Sequence, residues 1–503
     1  MNALDELYRG SLALLTDLYQ LTMAYGYWRQ AEAAGEASFH LFFRRLPFAG
    51  GYAVAAGLET ALQVLERFRF EASDLDYLSS IRGNDGAPLF ESEFIETLGR
   101  LRLSCEIDAV PEGTLVFAHE PLLRVSGPIL ECQILETILL NIINFQTLIA
   151  TKAARICQAA GSDPVLEFGL RRAQGIDGGL SASRAAYLGG CAATSNVLAG
   201  KLYGIPVRGT HAHSWVMSFD TELESFETYA RTMPNNCVFL VDTYDTLEGV
   251  RNAIRVGQQL RESGHAMVGI RLDSGDLAYL SIEARRMLDE AGFADATIVA
   301  SNDLDEWTIE SLKHQGATVG VWGIGTRLVT GNDQPALGGV YKLTAVRHGP
   351  GKWTPRIKIS EQLIKTSIPG ILQVRRFEGS DGFIADMIYE AQQGVDPRRT
   401  IVDPQNPLRR RAIDPQSEGR DLLEAVFRNG SRVAPPVPLT ESRARAKREL
   451  SRLHPGTRRF LNPHGYPVGI DVGLHELRAR LIDAHHASRR SSDEGTAADR
   501  HPE

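Results

Sequence analysis

Polar residues of the types that bind phosphate, metal ions or sugar hydroxyls follow short apolar runs in the middle of this 503-residue chain. In chain order they are Phe168 with Arg171 and Arg172, Thr210 with His211 and His213, Asp242 with Asp245, Arg271 with Asp273 and Asp276, Ser301 with Asn302 and Asp303, and Gly323 with Gly325 and Thr326. Ligands of parallel α/β folds bind at the carboxyl ends of the strands. We therefore predict that these groups form one site.

The local charge indicates what such a site would bind. Residues 152–208 contain seven Lys or Arg against three Asp or Glu, a surplus of four positive charges in a chain of net charge −8. A basic segment beside glycine turns favours a small polyanion, such as a phosphorylated metabolite. Arg171 and Arg172 directly follow a predicted strand and are expected to contact this polyanion. Arg155 and Lys201 are expected to lie on solvated helix surface.

His211 and His213 form a His-x-His pair that permits three interpretations. A metal hydrolase would need further histidine ligands at later strand ends, but His265 precedes its strand and His314 lies in a helical segment. A neutral imidazole can instead act as a nucleophile toward a phosphoryl group. A hydrogen-bonded core histidine is the third interpretation, and it fits one of the pair better than both.

For two further groups of residues the sequence permits more than one role. Residues 323–326, Gly-Ile-Gly-Thr, could present backbone N–H groups to a phosphate or form a tight turn between a strand and a helix. Asp242 and Asp273 could hold Mg²⁺ or ribose hydroxyls. Asp245 and Asp276, three residues further along, are predicted to cap the helices that follow them.

The elements that carry these groups alternate between helix and strand patterns. Residues 136–160 lack Gly and Pro and are apolar on nearly every side, which predicts a buried helix. Predicted strands then follow in the segments PVLEFG, GIPVRGTHAHS, CVFLVDTYD, MVGIRLDSGD, ATIVASNDLD and TVGVWGIGT, with helix-like segments between them. This alternation predicts parallel strands in an α/β barrel or a doubly wound sheet.

The changes of pattern along the chain predict five regions. They are an N-terminal domain over residues 1–140, an α/β barrel over 141–339, a mixed β-rich region over 340–435, a C-terminal helical region over 436–486 and a disordered tail over 487–503.

Composition excludes several classes of protein. The acidic balance argues against a surface that tracks nucleic acid. The most apolar stretch, residues 129–150, contains glutamates and asparagines and is a poor membrane span. Five isolated cysteines fit neither a zinc cluster nor a disulfide framework, and the acidic N-terminus is unlike a signal peptide. We therefore expect a cytoplasmic protein without nucleic-acid or membrane partners.

Long segments of the first 345 residues carry a family resemblance. They are LLTDLYQLTMAYGYW (14–28), FFRRLPFAGGYAVAAGLE (42–59), ETILLNIINFQTLIATKAARI (136–156), EFGLRRAQGIDGGLSASRAAYLGG (167–190), TSNVLAGKLYGIPVRGTHAHS (194–214), GIRLDSGDL (269–277), SNDLDE (301–306), GIGTRLVT (323–330) and GGVYKL (338–343). In this order and at this length, the chain resembles the nicotinate phosphoribosyltransferases.

The resemblance implies a fold and a reaction. The fold is the irregular α/β barrel of a type II phosphoribosyltransferase, with an N-terminal α+β domain that packs with part of residues 340–435 and a C-terminal mixed or helical region. The resemblance also implies a homodimer with shared active sites. The reaction joins nicotinate to phosphoribosyl pyrophosphate, giving nicotinate mononucleotide and pyrophosphate, the first step of NAD salvage from nicotinic acid. ATP is a co-substrate that acts through a phosphohistidine, as in a ligase, and Mg²⁺ is the cofactor.

The resemblance also implies residue roles. His213 is the phosphohistidine, and Arg271 and Asp273 are catalytic. The substrate-binding residues are Phe168, Arg171, Ser195, Thr210 and Tyr19, the last reaching in from the partner subunit. The phosphate-binding residues are Arg44, Arg45, Ser301, Asn302, Gly323, Gly325 and Thr326, and the Mg²⁺ ligands are Asp242 and Asp273.

Ser195 bears on the choice of substrate. The related nicotinamide enzyme carries at the matching position an Asp that accepts the amide N–H, and such a carboxylate would repel nicotinate. Ser195 therefore favours the acid over the amide. Two alternatives are a nicotinamide phosphoribosyltransferase and a catalytically inactive paralogue that binds nucleotides.

Overall fold

The computed structural model describes residues 10–30 and 35–498. Its strands are β1 (Glu36–Phe43), β2 (Ala53–Val54), β3 (Glu106–Ala109), β4 (Leu115–Val116), β5 (Leu123–Pro128), β6 (Val165–Glu167), β7 (Ala193–Thr194), β8 (Val238–Leu240), β9 (Gly269–Leu272), β10 (Thr297–Asn302), β11 (Val321–Ile324), β12 (Gly339–Arg347), β13 (Thr354–Pro355), β14 (Leu372–Gly379), β15 (Gly382–Glu390), β16 (Thr400–Val402), β17 (Arg410–Ala412), β18 (Glu418–Asp421), β19 (Glu424–Arg428), β20 (Ser431–Arg432) and β21 (Val468–Asp471).

The α-helices within those residues are α1 (Leu18–Arg29), α2 (Leu58–Leu65), α3 (Ala72–Ser80), α4 (Ser92–Arg100), α5 (Ile129–Ile134), α6 (Glu136–Ala160), α7 (Gly175–Gly189), α8 (Val197–Tyr203), α9 (His213–Met217), α10 (Glu222–Thr232), α11 (Thr246–Glu262), α12 (Leu277–Glu290), α13 (Glu306–His314), α14 (Thr326–Val329), α15 (Leu439–Arg452), α16 (Pro455–Arg458) and α17 (Val472–Ala498). Short 3₁₀ turns cover Pro47–Ala49, Leu170–Arg172 and Leu363–Lys365.

The chain divides into two compact units. Unit 1 comprises Met1–Asn144, Leu337–Pro438 and Arg448–Glu503, and unit 2 comprises Phe145–Ala336 and Leu439–Lys447. Unit 2 is close in extent to the predicted barrel, although it also takes the first nine residues of α15. The predicted disordered tail overlaps α17 up to Ala498, and residues 499–503 lie outside the described part of the chain.

Unit 1 is built on two sheets that join distant parts of the sequence. The larger sheet has the strand order β13-β12-β1-β5-β3-β19-β20, with every neighbouring pair antiparallel. The second has the order β17-β16-β21-β15-β14-β18. Strand β1 pairs with β12 along its whole length, with Phe43 opposite Gly339, so the N-terminal residues need the segment after residue 337 to complete their sheet.

A buried ionic network lies inside unit 1. The Arg376 side chain has no exposed area, and its guanidinium donates to Asp386 at 2.6 Å, to Glu449 at 2.7 Å and to the Leu115 carbonyl at 2.8 Å. Burial, together with the neighbouring Asp386, raises the pKa of Glu120 well above its usual range. Arg420 also pairs with Glu449, at 2.5 Å, so two arginines balance the carboxylates of this network.

Unit 2 contains a parallel sheet of the order β7-β6-β11-β10-β9-β8, and each neighbouring pair is parallel. The predicted α/β class is confirmed. Within the described residues the hydrogen-bonded ladder runs from β7 to β8 without closing into a complete barrel. The prediction of a strand in residues 204–214 was wrong, because Val207 forms only an isolated bridge with Thr194, and the short β7 takes that place in the sheet.

Helices cross between the parallel strands as predicted. Residues 136–160 form α6 with the predicted bounds. Asp245 accepts a hydrogen bond from the Glu248 N–H at 2.8 Å and Asp276 accepts one from the Tyr279 N–H at 3.0 Å, so both predicted helix caps are confirmed. These caps fix the polypeptide directly after β8 and β9, where the candidate site residues lie.

The expectation of a solvated Arg155 was wrong. The Arg155 and Lys152 side chains are 2% and 1% exposed, and both pair with the buried Glu306, at 2.8 Å and 2.7 Å. Arg184 is also buried and donates to Gln146. Part of the positive surplus in residues 152–208 therefore balances charge inside unit 2 and does not face a ligand.

None of the helices in the described residues is both long enough and apolar enough to cross a membrane. All five cysteines are free thiols.

Candidate active site

A polar pocket opens at the carboxyl ends of four neighbouring strands of unit 2. Its volume is about 130 Å³, and its lining residues are Phe168, Arg171, Arg172, Arg271, Asp273, Ser301, Asn302, Asp303, Gly323, Gly325 and Thr326. They follow or end β6, β9, β10 and β11, which are adjacent in the sheet. The structure therefore brings residues of four of the six predicted groups together around this pocket. Thr210 and Asp242, from the other two groups, hydrogen-bond to Arg271 and Asp273 of its lining.

Arg271 is the centre of the hydrogen-bond network in the pocket. Its Nε donates to Ser301 Oγ at 2.8 Å, and its two terminal nitrogens donate to Thr210 Oγ1 and to Asp273 Oδ1, each at 3.0 Å. The guanidinium is thereby locked in one plane by groups from three separate segments. Thr210 lies on the loop after α8, so this bond brings that loop to the pocket.

Asp273 is held as a carboxylate. Burial alone would raise its pKa, but hydrogen bonds from Ser301 and Arg271 together lower the pKa below its usual value. Ser301 Oγ donates to the same oxygen that accepts from Arg271. The second oxygen, Oδ2, lies 3.7 Å from His213 Nε2, which is too far for a hydrogen bond. It has no hydrogen-bond partner among the described residues. A negative charge thus stands at the wall of the pocket with one oxygen available to a ligand.

The aromatic wall of the pocket is Phe168. Its N–H donates to the Ile324 carbonyl at 2.7 Å, and the Arg271 guanidinium carbon lies 5.8 Å from the centre of its ring. Gly323 makes room for this ring, since a β-carbon at 323 would lie 2.9 Å from ring atoms Cδ2 and Cε2. The glycine of β11 is therefore required by packing as well as by the turn.

The two histidines of the His-x-His pair have different environments. His211 is buried, and its Nε2 accepts the Leu240 N–H at 3.2 Å, while burial lowers its pKa to about 4. His213 is 40% exposed, and its Nδ1 lies 3.1 Å from Thr243 Oγ1. His211 is thus the hydrogen-bonded core histidine, and His213 is the accessible imidazole beside Asp273.

Asp242 lies next to this group at the end of β8. Its Oδ2 accepts the Asp273 N–H at 2.8 Å and the Ser274 hydroxyl at 2.6 Å. Its Oδ1 is buried and has no hydrogen-bond partner among the residues that the structure describes. Across residues 10–30 and 35–498, no cluster of three or more His, Cys, Asp or Glu side chains could by itself hold a metal ion. A cation here would need ligand oxygens as well as Asp242 and Asp273.

Seven predicted site residues lie outside the pocket lining. Three of them, Thr210, His213 and Asp242, lie beside it as described above, and the other four are Ser195, Tyr19, Arg44 and Arg45. Ser195 is partly buried, and its N–H donates to the Glu167 carbonyl at 2.9 Å, one residue from Phe168. Tyr19, Arg44 and Arg45 belong to unit 1. Tyr19 is 48% exposed on α1, and Arg44 lies with its guanidinium carbon 5.9 Å from the Phe42 ring centre.

Two residues that take part in the arrangement were not predicted. Thr243 fixes the ring of His213, and the signal for it was its place directly after Asp242 at a strand end. Glu167 is 1% exposed and accepts bonds from Gly169, Ser183 and Thr194. The signal for Glu167 was a carboxylate inside an apolar strand segment.

Family models match nearly the whole chain. The nicotinate phosphoribosyltransferase N-terminal domain matches residues 14–144, the nicotinate phosphoribosyltransferase family model matches 165–374 and the C-terminal domain of the same enzymes matches 373–478. The chain is 45% identical over 486 residues to the nicotinate phosphoribosyltransferase of Bacillus subtilis, covering 94% of this chain and 97% of that one. The chain belongs to the nicotinate phosphoribosyltransferase family.

Other members of the family are similar over comparable lengths. The human nicotinate phosphoribosyltransferase is 39% identical over 523 residues, with 92% of this chain and 95% of that one covered. The crystal structure of human nicotinic acid phosphoribosyltransferase superposes with a TM-score of 0.81 at 37% identity, covering 93% of this chain and 99% of that chain. Its similarity confirms the fold predicted for a member of this family.

Proposed function

We propose that this chain joins nicotinate to phosphoribosyl pyrophosphate, giving nicotinate mononucleotide and pyrophosphate, the first step of NAD salvage from nicotinic acid. Membership of the nicotinate phosphoribosyltransferase family supports the reaction. The observation that carries it is the locked Arg271, held by Ser301, Thr210 and Asp273 beside the Phe168 ring.

The pocket offers complementary groups to each part of the substrates. The face of Phe168 suits stacking on an electron-poor pyridine ring, and the exposed Arg171 suits a bidentate contact with the nicotinate carboxylate. Gly323, Gly325 and Thr326 suit the phosphate of the phosphoribosyl group, with Ser301 and Asn302 at the adjacent strand end. The lining is rich in donors, as a phosphorylated sugar requires.

The chain's own residues act on the ribose by charge and by position. Bond cleavage at the anomeric carbon creates an oxocarbenium-like centre, and the ionised Asp273 provides negative charge at the pocket wall. Arg271 keeps that carboxylate oriented by its 3.0 Å bond and places positive charge where the leaving pyrophosphate gains negative charge. The rigid network removes the need to reorganise these dipoles during the reaction.

Asp242 and Asp273 are the residues that would hold Mg²⁺. The buried and unpartnered Oδ1 of Asp242 and the open Oδ2 of Asp273 fit a cation that completes its coordination with substrate phosphates and water. When bound, Mg²⁺ would neutralise the departing pyrophosphate. Ser274 and the Asp273 N–H orient the other oxygen of Asp242.

We assign ATP coupling to His213. Its imidazole is exposed enough to meet a nucleotide, and Thr243 holds the ring through Nδ1. The remaining nitrogen, Nε2, faces the carboxylate of Asp273 and is the proposed nucleophile. It attacks the γ-phosphorus of ATP, so that the N–P bond forms as the P–O bond to ADP breaks and ADP leaves. Phosphorylation of Nε2 would place negative charge next to the Asp273 carboxylate. The phosphorylated and unphosphorylated forms of His213 would therefore give the pocket different charges.

We also propose a homodimer with shared active sites, in which Tyr19 reaches into the site of the partner subunit. The Tyr19 side chain is about half exposed, as a ring that completes another subunit's site would be. Arg44 and Arg45 then add positive charge for substrate phosphates.

The proposal is tested with radiolabelled nicotinate, phosphoribosyl pyrophosphate and Mg²⁺, with and without ATP. The expected result is labelled nicotinate mononucleotide and a marked gain in yield from ATP. A preference for nicotinamide would favour the nicotinamide enzyme and refute the role of Ser195. Absence of any turnover by folded protein would favour an inactive paralogue that binds nucleotides.

A further inference from the structure

Glu167 is a buried carboxylate at the carboxyl end of β6, and neither its burial nor its bonds are used by the proposed reaction. Its side chain is 1% exposed in unit 2. A carboxylate at such a position is costly unless its oxygens accept hydrogen bonds from the protein. Glu167 meets this condition with three donors from three different segments.

The three donors divide between the two oxygens. Oε1 accepts the N–H of Gly169, two residues along the chain. Oε2 accepts the hydroxyl of Ser183 on α7 at 2.8 Å and the hydroxyl of Thr194 at the end of β7 at 2.6 Å. The side chain therefore ties its own turn to the neighbouring strand and to the helix behind it.

Backbone hydrogen bonds of residues 167 and 168 also tie this segment to its neighbours in the sheet. The Ser195 N–H donates to the Glu167 carbonyl at 2.9 Å, and the Phe168 N–H donates to the Ile324 carbonyl at 2.7 Å. Residue 168, the aromatic wall of the pocket, is thus fixed between a side-chain bond at 169 and a backbone bond to β11. The ring has little freedom on its other side, where it meets Gly323.

We infer that Glu167 positions the turn at residues 168–172, which carries the proposed nicotinate-binding side chains Phe168 and Arg171. Glu167 itself does not touch substrate. This inference rests on the proposed function, because it names the part of the site that Glu167 serves. Oε1 must accept, because the Gly169 N–H can only donate. A glutamine that keeps this bond turns its NH2 group toward the Ser183 and Thr194 hydroxyls, which must then accept and reorient their own hydrogens, that of Ser183 toward the Gly179 carbonyl at 2.9 Å.

The isosteric Glu167→Gln variant is expected to raise the KM for nicotinate about ten-fold, with the KM for ATP in ATP hydrolysis unchanged. Thr194→Val is expected to shift the nicotinate KM in the same direction, and Thr194→Ser, which restores the hydroxyl, to return it to the wild-type value. This pattern separates positioning from a general loss of stability. A nicotinate KM within two-fold of wild type in both Glu167→Gln and Thr194→Val would overturn the inference.

Thr318→Val is the matched control. The Thr318 hydroxyl donates to the Ser281 carbonyl at 2.7 Å in the same unit, before β11 begins, and does not line the pocket. Because Thr318 is exposed and Thr194 is buried, Thr318→Val should lose less thermal stability than Thr194→Val, and it should keep the wild-type KM for nicotinate. If Thr318→Val raised that KM equally, the effect would be one of stability and the inference would fall.

A crystal structure of ligand-free Glu167→Gln gives a readout that does not depend on activity. The expected change is a displaced turn at residues 168–172, with the Phe168 ring moved off Gly323. An unmoved turn would refute the positioning role even if the enzyme proved to act on another substrate. Failure of the wild-type protein to make nicotinate mononucleotide would refute the proposed function alone.

Discussion

The Phe168 ring lies directly against the backbone of Gly323, so that a β-carbon at 323 would stand 2.9 Å from two of its ring carbons. The ring belongs to the loop after β6, and the glycine belongs to β11, its neighbour in the parallel sheet. The pairing of β6 with β11 therefore sets the distance between the Phe168 ring and Gly323.

Gly323→Ala is expected to push the Phe168 ring into the pocket and raise the KM for nicotinate about ten-fold. Steady-state kinetics at saturating phosphoribosyl pyrophosphate measure this change. Gly178→Ala is the control, because nothing lies within 4 Å of a β-carbon at 178 and alanine suits the interior of α7. An unchanged nicotinate KM in Gly323→Ala would show that the ring contact does not shape the pocket.

Arg271→Lys is expected to lower kcat/KM by about 100-fold or more, because one ammonium group cannot replace three separate donors of a planar fork. Arg285→Lys tests the same exchange away from the pocket, where the guanidinium donates to the Ala296 and Phe293 carbonyls at 2.6 Å. Thermal stability should fall in both variants. Equal loss of kcat/KM in both would contradict a special role for Arg271.

His213→Ala should abolish the gain in product that ATP gives and leave some uncoupled synthesis. Labelled γ-phosphate from ATP should appear as acid-labile phosphate on the wild-type protein and be absent from the variant. His265→Ala serves as control, because His265 is partly buried, its ring hydrogen-bonds to Asn235 Oδ1 at 2.9 Å and it does not line the pocket. Retention of acid-labile phosphate on His213→Ala would place the modified residue elsewhere.

Asp242→Asn should raise the Mg²⁺ concentration for half-maximal activity about ten-fold, because it removes charge from a carboxylate that has an unpartnered buried oxygen. Titration of activity with Mg²⁺ measures the shift. Asp276→Asn is the control, since asparagine caps a helix as well as aspartate does. A Mg²⁺ titration that is identical for Asp242→Asn and wild type would exclude Asp242 as a ligand.

His211 should make the protein less stable as the pH falls. Burial lowers its pKa to about 4 in the folded protein, so the unfolded chain takes up a proton first, near the ordinary value of 6.5. The free energy of unfolding is unaffected by this titration above about pH 6.5. It falls progressively between pH 6.5 and pH 4, by about 3 kcal/mol in all.

The His211→Gln variant isolates this effect, since its amide oxygen can accept the Leu240 N–H without titrating. Denaturant unfolding at several pH values should show wild type losing stability relative to the variant between pH 6.5 and 4. Parallel pH profiles of the two proteins would mean that His211 titrates normally.

The sequence was sufficient to predict much of the fold and the pocket because their signals are local. Asp242, Arg271 and Ser301 each end an apolar run, and parallel strands bring such ends together. Arg155 was misjudged because its partner, Glu306, lies 151 residues away, and nothing in a local pattern shows that pairing. The segment 204–214 reads as a strand, but Val207 meets the sheet at one bridge only.

The pairing of β1 with β12 has a consequence for how this chain is made. Phe43 leaves the ribosome long before Gly339, its partner in the ladder, so one hydrogen-bonding edge of β1 stays open while all of the parallel sheet of unit 2 is being synthesised. An open strand edge is a template for pairing with other chains. The nascent protein is therefore most prone to aggregation in the interval that begins with Phe43 and ends when β12 docks.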